Sequence, residues 1–382
     1  MKIAVITPIP TPYRDAFWNV VAAQPEVELH VLYCATGKAD RPWKKSWPMN
    51  YHHQFLKGFN LMSWRSKESS LYVNLGVLNY LSQIQPNAVL VGGYNHLTML
   101  LAIVWSILKK VRFYMMCETY EMRKISNFKE FLKNVFLKAI ARKSAGGFPT
   151  GNAAAEYMRA HGWSNNSLIC LPNVPDIKNI QDTVSNLKKS QETLKTKWSV
   201  SKDKIVLYVG RLVRKKNVEQ LLRAVAGIRS DERPDCVIIG GGDQHSQLIN
   251  LCRELGIQQT TRFLGFQDPD VILEWFAMAN VFVLPSNETW GVAPIEAAAA
   301  NLNLVLSDEV GSAHEISIRY SKTQIFKFGD IEGMKKAIIK ALSLEDNFSN
   351  ETKKTFKDWG YPQMANNVLR GIKEEANLET VK

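Results

Sequence analysis

The sequence is poor in cysteine and has no long hydrophobic run. Its five cysteines lie far apart and form no C-x-x-C pair, which favours a reduced chain over a disulfide framework. The longest apolar run, Leu97–Leu108, is interrupted by Thr98 and Ser106 and is too short to span a bilayer. The amino terminus lacks the apolar stretch of a signal peptide, so we expect a cytoplasmic protein.

Several nucleotide and metal motifs are also missing. A run of three glycines begins at Gly240, but His245 stands where G-x-G-x-x-G needs its last glycine, and no P-loop sequence occurs. The seven histidines form no H-E-x-x-H pair. The triplet Asp268-Pro269-Asp270 is expected to cap a helix rather than hold a metal. We therefore expect neither a resident cofactor nor a metal site.

The chain is rich in the residues that build a core and in positive charge. Hydrophobic residues make up 46% of the 382 positions, which excludes disorder and is enough for two domains. The formal net charge of +12 is typical of proteins that meet nucleic acid, anionic lipid or an anionic substrate. No RNP aromatics, zinc spacing or helix-turn-helix signature is present, so nucleic acid is not expected as a partner.

Short β-branched strands alternate with helical stretches along both halves of the chain. This rhythm predicts doubly wound parallel sheets in an α/β fold. Strands are predicted at residues 3–7, 28–33, 88–92, 112–117 and 168–171, then at 205–209, 236–240, 262–264, 281–284, 304–306 and 325–328. We predict one domain over residues 1–175, a linker over 176–200, and a second domain over 201–355. The segment 356–382 is predicted to be helical and to pack back towards the first domain.

Charged side chains follow two of the predicted strands of the second half. Arg211 and Lys216 lie in one strand-to-helix loop and can neutralise a diphosphate leaving group together. Glu288 and Glu296 flank a second strand-to-helix turn, where carboxylates can accept hydrogen bonds from sugar hydroxyls. Amides near Gly291 at the start of the next helix can donate to phosphate oxygens. Ligands of parallel sheets bind beyond the carboxyl ends of the strands, so these groups are expected to converge on a nucleotide-sugar.

The second half resembles the retaining glycosyltransferases of family 4. The matching pieces are VGRLVRKKN, IIGGGD, RFLGF, and LPSNETWGVAPIEAAAA with its E-x7-E motif, in the family's order. The resemblance implies the GT-B architecture, two Rossmann-like doubly wound parallel-sheet domains facing a cleft, and transfer without a metal. It implies catalytic roles for Arg211, Lys216 and Glu288. The donor-binding residues that it implies are Gly210, Arg211, Lys216, Gly241, Phe263, Gly265, Glu288, Trp290, Gly291, Val292, Ala293 and Glu296.

The chain departs from that family's pattern at several positions. Trp290 stands where Phe is common, Asn217 where Gly is common, and Asn301-Leu302-Asn303 replaces Gly-x-Pro. The first half resembles the family only loosely. Its early loop lacks the usual glycine pair, and Arg14 is expected to replace that phosphate contact. Arg14, His96 and Glu118 are the predicted acceptor-side residues.

The expected reaction moves a hexose-type sugar from a nucleotide-sugar to a hydroxyl of a glycan or lipid-linked glycan. Assembly of a bacterial surface polysaccharide or lipopolysaccharide is the expected setting. The basic helix predicted over residues 128–143 either lies on an anionic membrane or packs on the core with a solvated basic back. The first alternative predicts peripheral attachment to the inner face of the membrane. A GT-B nucleotide-sugar epimerase is the alternative activity, and a nucleic-acid-binding protein is a remote one.

Overall fold

The computed structural model describes residues 1–37, 47–62, 70–119, 127–200, 202–344 and 355–379. The chain divides into two compact units. The first contains Met1–Asn173 and the segment from Tyr361 onward, and the second is Val174–Gly360. Each unit contains one six-stranded parallel sheet with helices between its strands.

The first unit is built on a sheet with the order β3-β2-β1-β6-β7-β8, and a small antiparallel pair, β4-β5, lies beside it. Its strands are β1 (Lys2–Thr7), β2 (Glu28–Tyr33), β3 (His52–Phe55), β4 (Phe59–Asn60), β5 (Tyr72–Val73), β6 (Ala88–Gly92), β7 (Arg112–Cys117) and β8 (Gly146–Pro149). Its helices are α1 (Pro12–Ala22), α2 (Val77–Ile84), α3 (Leu97–Leu108), α4 (Asn127–Lys143) and α5 (Asn152–Ala160).

The second unit repeats this design with the strand order β11-β10-β9-β12-β13-β14. Its strands are β9 (Ile205–Val209), β10 (Asp235–Ile239), β11 (Thr261–Gly265), β12 (Val281–Leu284), β13 (Asn303–Ser307) and β14 (Thr323–Phe326). Its helices are α6 (Ile177–Lys188), α7 (Gln191–Lys197), α8 (Val218–Ala226), α9 (His245–Glu254), α10 (Pro269–Met278), α11 (Ala293–Ala299), α12 (Ala313–Arg319) and α13 (Ile331–Leu342). The last helix of the chain, α14 (Tyr361–Glu379), returns to the first unit and packs against α1.

The central strands are continuous hydrophobic runs because helices cover both faces of each sheet. In β12 and β13 every residue is buried, and β9 is buried except at its last residue. The strands β9 and β12 are neighbours, and the direction of chain winding changes between them. The loops that follow these two strands therefore emerge side by side at the edge where parallel α/β sheets bind ligands.

The predicted fold class, two Rossmann-like parallel-sheet domains, is confirmed, although the sequence missed two edge strands. The strand β3 contains two histidines and a glutamine, and β8 begins with two glycines and ends with proline, so neither shows a hydrophobic pattern. The predicted strand at 168–171 was wrong as a full strand. Leu168 forms an isolated bridge with Gly147 of β8, and the N–H groups of Ile169 and Leu171 donate to the carbonyls of Gly147 and Pro149 at 3.0 and 2.7 Å. The segment predicted as a linker contains α6 and α7, which pack against α10.

The helix α4 turns much of its apolar surface to solvent. Leu137, Ile140 and Ala141 are buried in the core, whereas five large apolar side chains are between 42% and 71% exposed. These five, called here the α4 apolar face, are Phe128, Phe131, Leu132, Val135 and Phe136. The core-helix interpretation therefore accounts for only part of the helix. Among the described residues, no helix is both long enough and apolar enough to cross a bilayer.

Two asparagines have backbone angles that favour glycine. Asn217 and Asn301 have φ angles of 57° and 67°, in the left-handed region that side chains other than Gly, Asn and Asp rarely adopt. Asn217 also donates from Nδ2 to Oε1 of Gln220 at 2.7 Å, beside the first turn of α8.

Asn217→Gly should be about 1 kcal/mol more stable than Asn217→Ala, because both lose the amide and only alanine resists the left-handed angle. Urea unfolding measures the free-energy difference. Asn186, exposed inside α6, provides the matched control, where helix propensity predicts the opposite order. Equal stability of the two Asn217 variants would contradict a left-handed backbone conformation at this position.

Candidate functional site

A short ion pair joins the loops that follow β9 and β12. Lys216 Nζ lies 2.6 Å from Glu288 Oε2, and the two side chains are only 12% and 21% exposed. Ser286, at the end of β12, donates its hydroxyl to the other carboxylate oxygen of Glu288 at 2.7 Å. The two predicted charged loops therefore meet, and Lys216 and Glu288 are in direct contact.

The environment of Glu288 favours its ionised form. Burial alone would raise the pKa of this carboxyl, but the ammonium of Lys216 and the hydroxyl of Ser286 outweigh burial and lower the pKa below its usual range. Glu288 is therefore a carboxylate at neutral pH. It keeps the lysine fixed while remaining partly accessible to a ligand.

Arg211 lies in the same electrostatic neighbourhood. Tyr208, a buried residue of β9, donates its hydroxyl to the Arg211 carbonyl at 2.9 Å and supports the loop from below. Burial raises the pKa of Tyr208 well above its usual value; the charge of Glu288 adds to this and that of Arg211 opposes it. Tyr208 was not predicted from the sequence, because nothing distinguishes it from other aromatic strand residues.

Glycines let the loops after β9 and β10 pack against each other. Gly240 has a φ of 136°, and a Cβ there would overlap the carbonyl of Gly210. A Cβ on Gly242 would overlap the backbone of Leu212, whose N–H donates to the Gly241 carbonyl at 2.8 Å. Two of the three glycines thus serve contacts within the protein, whereas Gly241 is exposed and has open space where a side chain would lie.

The loop that carries Glu288 is also fixed from its other side. The backbone N–H of Gly311 donates to the Glu288 carbonyl at 2.9 Å, and the hydroxyl of Ser312 donates to the Gly291 carbonyl at 3.1 Å. Gly291 has a φ of 95°, and a Cβ there would lie 3.6 Å from the Glu288 carboxyl carbon. Substitution of Gly291 would therefore strain the backbone and press on Val310, whose Cγ1 would lie 3.2 Å from the new Cβ.

Glu296 lies in the first turn of α11, the helix that begins just after Gly291. Val292 and Ala293 form the start of this helix, where the amide N–H groups lack partners within the helix itself. Burial raises the pKa of Glu296 to about 7, and no other group contributes. The two glutamates of the E-x7-E motif thus have opposite shifts: Glu288 is fixed as an anion, whereas Glu296 changes charge near neutral pH.

Phe263 and Gly265, predicted to lie near a nucleobase, belong to β11. Gly265 has a φ of 67°, and its carbonyl accepts from the Gly240 N–H at 2.8 Å. The Phe263 ring meets the His245 ring edge-on, with 5.7 Å between centroids. These contacts connect β11 to the glycine run and to the start of α9.

The acceptor-side predictions fall in the first unit. Arg14 donates from Nη2 to the Leu171 carbonyl at 3.3 Å, and burial lowers its pKa while the charge of Glu118 opposes that shift. Glu118 accepts from Asn173 Nδ2 at 2.7 Å, so Arg14 and Glu118 share one polar neighbourhood. His96 is buried and accepts from the Tyr72 N–H at 3.3 Å while packing on the Tyr72 ring, contacts that suit a structural residue.

The described part of the chain contains no group of three or more His, Cys, Asp or Glu side chains placed to hold a metal ion. Asp268 occupies the position before α10, as expected, but its side chain makes no capping hydrogen bond. The capping role predicted for this residue was therefore wrong.

Residues 190–359 match the family model described as Glycosyl transferases group 1. An uncharacterized glycosyltransferase of Methanocaldococcus jannaschii is 29% identical over 181 residues, which are 47% of this chain and 43% of the relative. D-inositol 3-phosphate glycosyltransferase of Corynebacterium diphtheriae is 36% identical over 110 residues, 27% of this chain and 26% of that protein. The chain thus spans less than half the length of these curated relatives.

Solved structures match over nearly the whole chain. HepE of Anabaena in complex with UDP has a TM-score of 0.73 and 14% identity, covering 98% of this chain and all of HepE. The apo form of the lipopolysaccharide outer core galactosyltransferase WaaB has a TM-score of 0.68 and 16% identity, covering 98% of this chain and all of WaaB. The fold is GT-B. The family match lies inside the second GT-B unit, where the ion pair is located.

Glu296→Gln should stabilise the protein at high pH and leave it nearly unchanged at low pH. A carboxyl with a pKa of about 7 when folded and 4.5 otherwise contributes stability below pH 4.5 that is lost as the pH rises through 7. At pH 9 the variant should gain roughly 1–3 kcal/mol. Urea unfolding at pH 5 and 9 measures this, with exposed Glu254→Gln of α9 as the control. A pH-independent difference would contradict the raised pKa.

Proposed function

We propose that the protein is a retaining glycosyltransferase that moves a hexose-type sugar from a nucleotide-sugar to an acceptor hydroxyl without a metal. The contact between Lys216 and Glu288, with Arg211 in the same neighbourhood, is the observation that carries the proposal. In our proposal, these side chains and the start of α11 surround the donor at this loop edge. The group 1 family match over residues 190–359 supports the same reading.

In the proposed reaction, the bond between the anomeric carbon and the diphosphate oxygen breaks, and its electron pair leaves with the nucleoside diphosphate. Arg211 and Lys216 stabilise the charge that grows on that oxygen, because cations in a partly dehydrated site bind it strongly. The acceptor oxygen then bonds to the same face of the sugar, and its proton passes to the departing phosphate oxygen. Glu288 accepts from hydroxyls of the transferred sugar, and Glu296 from ribose hydroxyls.

A uridine nucleotide-sugar is the first donor to test. HepE, whose fold matches this chain, has been solved with UDP, with UDP and glucose, and with UDP-glucose. In our proposal the nucleobase lies along β11 near Phe263 and Gly265, beside the exposed Gly241. Arg14 and Glu118, which share one polar neighbourhood in the first unit, are the acceptor-binding residues that we propose.

An anionic bilayer is the partner proposed for the α4 apolar face. Lysines and arginines flank these side chains, which would enter the acyl boundary while the basic groups meet anionic headgroups. The flanking basic residues are Lys129, Lys133, Lys138, Arg142 and Lys143. Such a surface suits a glycan acceptor on a lipid carrier at the inner face of the membrane, as surface polysaccharide or lipopolysaccharide assembly requires.

Among UDP-, GDP-, ADP- and dTDP-sugars, one donor class should raise the melting temperature of the protein, because ligand binding stabilises the folded state. UDP-sugars are expected to give the largest shift. Product analysis without an acceptor separates the activities, since release of an altered free sugar would favour the epimerase. Absence of any shift across the four classes at millimolar concentration would contradict the proposed donor site.

Lys216→Ala should lower kcat by about 100-fold or more with the preferred donor, because one cation that stabilises the leaving group is lost. Glu296→Ala should chiefly raise the KM for the donor. Circular dichroism and thermal unfolding check that both variants fold. Exposed Lys204→Ala, at the opposite end of β9 from this loop, is the matched control and should stay near the wild-type rate. Near-native rates in both site variants would overturn the assigned roles.

The double variant Phe131→Ser, Val135→Ser should lose at least tenfold in affinity for anionic vesicles, because two apolar side chains no longer enter the bilayer. Co-sedimentation with phosphatidylglycerol-containing and pure phosphatidylcholine vesicles at low salt measures it. Ile318→Ser, an equally exposed residue of α12, is the control. Failure of the wild-type protein to bind anionic vesicles would contradict the membrane proposal.

A further inference from the structure

An aromatic stack connects the loop of Glu288 to the end of the second unit. Trp290 is only 4% exposed, although the residue before it and the residue after it are more open. Its ring packs on that of Trp359, which is also 4% exposed, with 5.9 Å between centroids and a tilt of 49°. Trp359 is followed by Gly360, the last residue of the unit.

Trp359 is itself fixed by its neighbours. Its ring lies 5.3 Å from that of Phe356, and the Arg319 guanidinium lies 4.9 Å from its centroid. Arg319 also forms an ion pair with Asp358 at 3.0 Å. Phe356 continues the stack to Tyr320, at 6.3 Å. The short turn of residues 357–359 is therefore a rigid support rather than a solvated connection.

The backbone of Trp290 is held independently of its side chain. Its carbonyl accepts from the Ser312 N–H at 2.9 Å, and the next carbonyl, of Gly291, accepts from the Ser312 hydroxyl. On the other side of the loop, the Asn287 N–H donates to the Lys215 carbonyl at 3.2 Å. The contact with Trp359 adds a side-chain restraint at Trp290, which lies between Glu288 and the start of α11 in sequence.

We propose that Trp359 is a positioning residue for the nucleotide-sugar donor: through Trp290 it holds the Glu288 carboxylate and the Gly291 backbone where the diphosphate and sugar bind. This inference rests on the proposed function of that loop. The two indoles are in contact, so the position of the Trp290 side chain depends on the support that Trp359 provides. Small displacements of such a loop weaken ligand binding strongly, because the polar groups must converge within a fraction of an ångström.

Trp359→Leu should raise the Kd for UDP by about tenfold or more. If the donor screen selects a GDP-, ADP- or dTDP-sugar instead, the corresponding diphosphate replaces UDP in this experiment. The KM for the donor should rise in parallel, the KM for the acceptor should not change, and Trp359→Phe should restore most of the affinity. Trp275→Leu is the matched control, since Trp275 is fully buried in the same unit and packs on Trp198 instead. It should lower the melting temperature without changing the Kd. Calorimetric titration measures each Kd.

A Trp359→Leu variant that unfolds more easily but binds the diphosphate as tightly as the wild type would overturn the inference. Equal loss of affinity in Trp275→Leu would also overturn it, because the effect would then be one of general stability. If Trp359→Leu does not fold, Trp290→Phe and Arg319→Gln replace it, and unchanged Kd in both would be decisive against the proposal. Failure of the wild-type protein to bind any of the four diphosphates would instead refute the proposed function.

Discussion

The contact between Lys216 and Glu288 is the interaction on which the organisation of the second unit's loop edge depends. Exposed ion pairs usually contribute little to stability, but this pair is shielded and the carboxylate has a further donor in Ser286. Removing either partner would leave the other charge poorly solvated, so each fixes the position of the other. A lysine held in this way is a preorganised cation: it can bind a phosphate group without first losing its side-chain freedom. The strand order makes the contact possible, since β9 and β12 are adjacent and their loops leave the sheet side by side.

Environment gives the two glutamates of the E-x7-E motif different chemistry. Glu288 is ionised because a lysine and a serine stabilise its negative form, whereas burial raises the pKa of Glu296 to about 7. A permanent anion beside a lysine is suited to binding the hydroxyls of a sugar. It accepts hydrogen bonds from those hydroxyls and leaves the phosphate to the lysine. A carboxyl that ionises near neutral pH can accept a hydrogen bond from a ribose hydroxyl when ionised and donate one to it when protonated. Pairs of acidic groups with divergent pKa values are common where one site performs two tasks.

Most of the fold could be predicted from sequence, and the reason is physical. Strands such as β9, β12 and β13 are buried on both faces and therefore appear as uninterrupted hydrophobic runs, which the chain shows plainly. The edge strands β3 and β8 carry His, Gly or Pro and therefore show no hydrophobic run, although every residue of β8 is buried. The motifs placed Arg211, Lys216 and Glu288 at one sheet edge. They could not show that Lys216 and Glu288 touch, or that Tyr208 supports the loop, because those contacts depend on strand order. Nor could the spacing of apolar residues show which of them in α4 face solvent, because a helix with apolar side chains on several sides has no single face that must be buried.

The family match covers one of the two units and not the other. The family match is confined to residues 190–359, where the ion pair, the glycine contacts and the tryptophan stack lie. In our proposal these loops bind a diphosphate, which has the same charge and geometry in every nucleoside diphosphate donor. The first unit, which carries Arg14, Glu118 and the α4 apolar face, lies outside that match, although the solved structures share its fold. Acceptors differ in size, charge and attachment, so the residues that meet them have no common geometry to preserve. If Arg14, Glu118 and the α4 apolar face meet the acceptor, as we propose, the features that decide which acceptor this chain uses should therefore lie in the first unit.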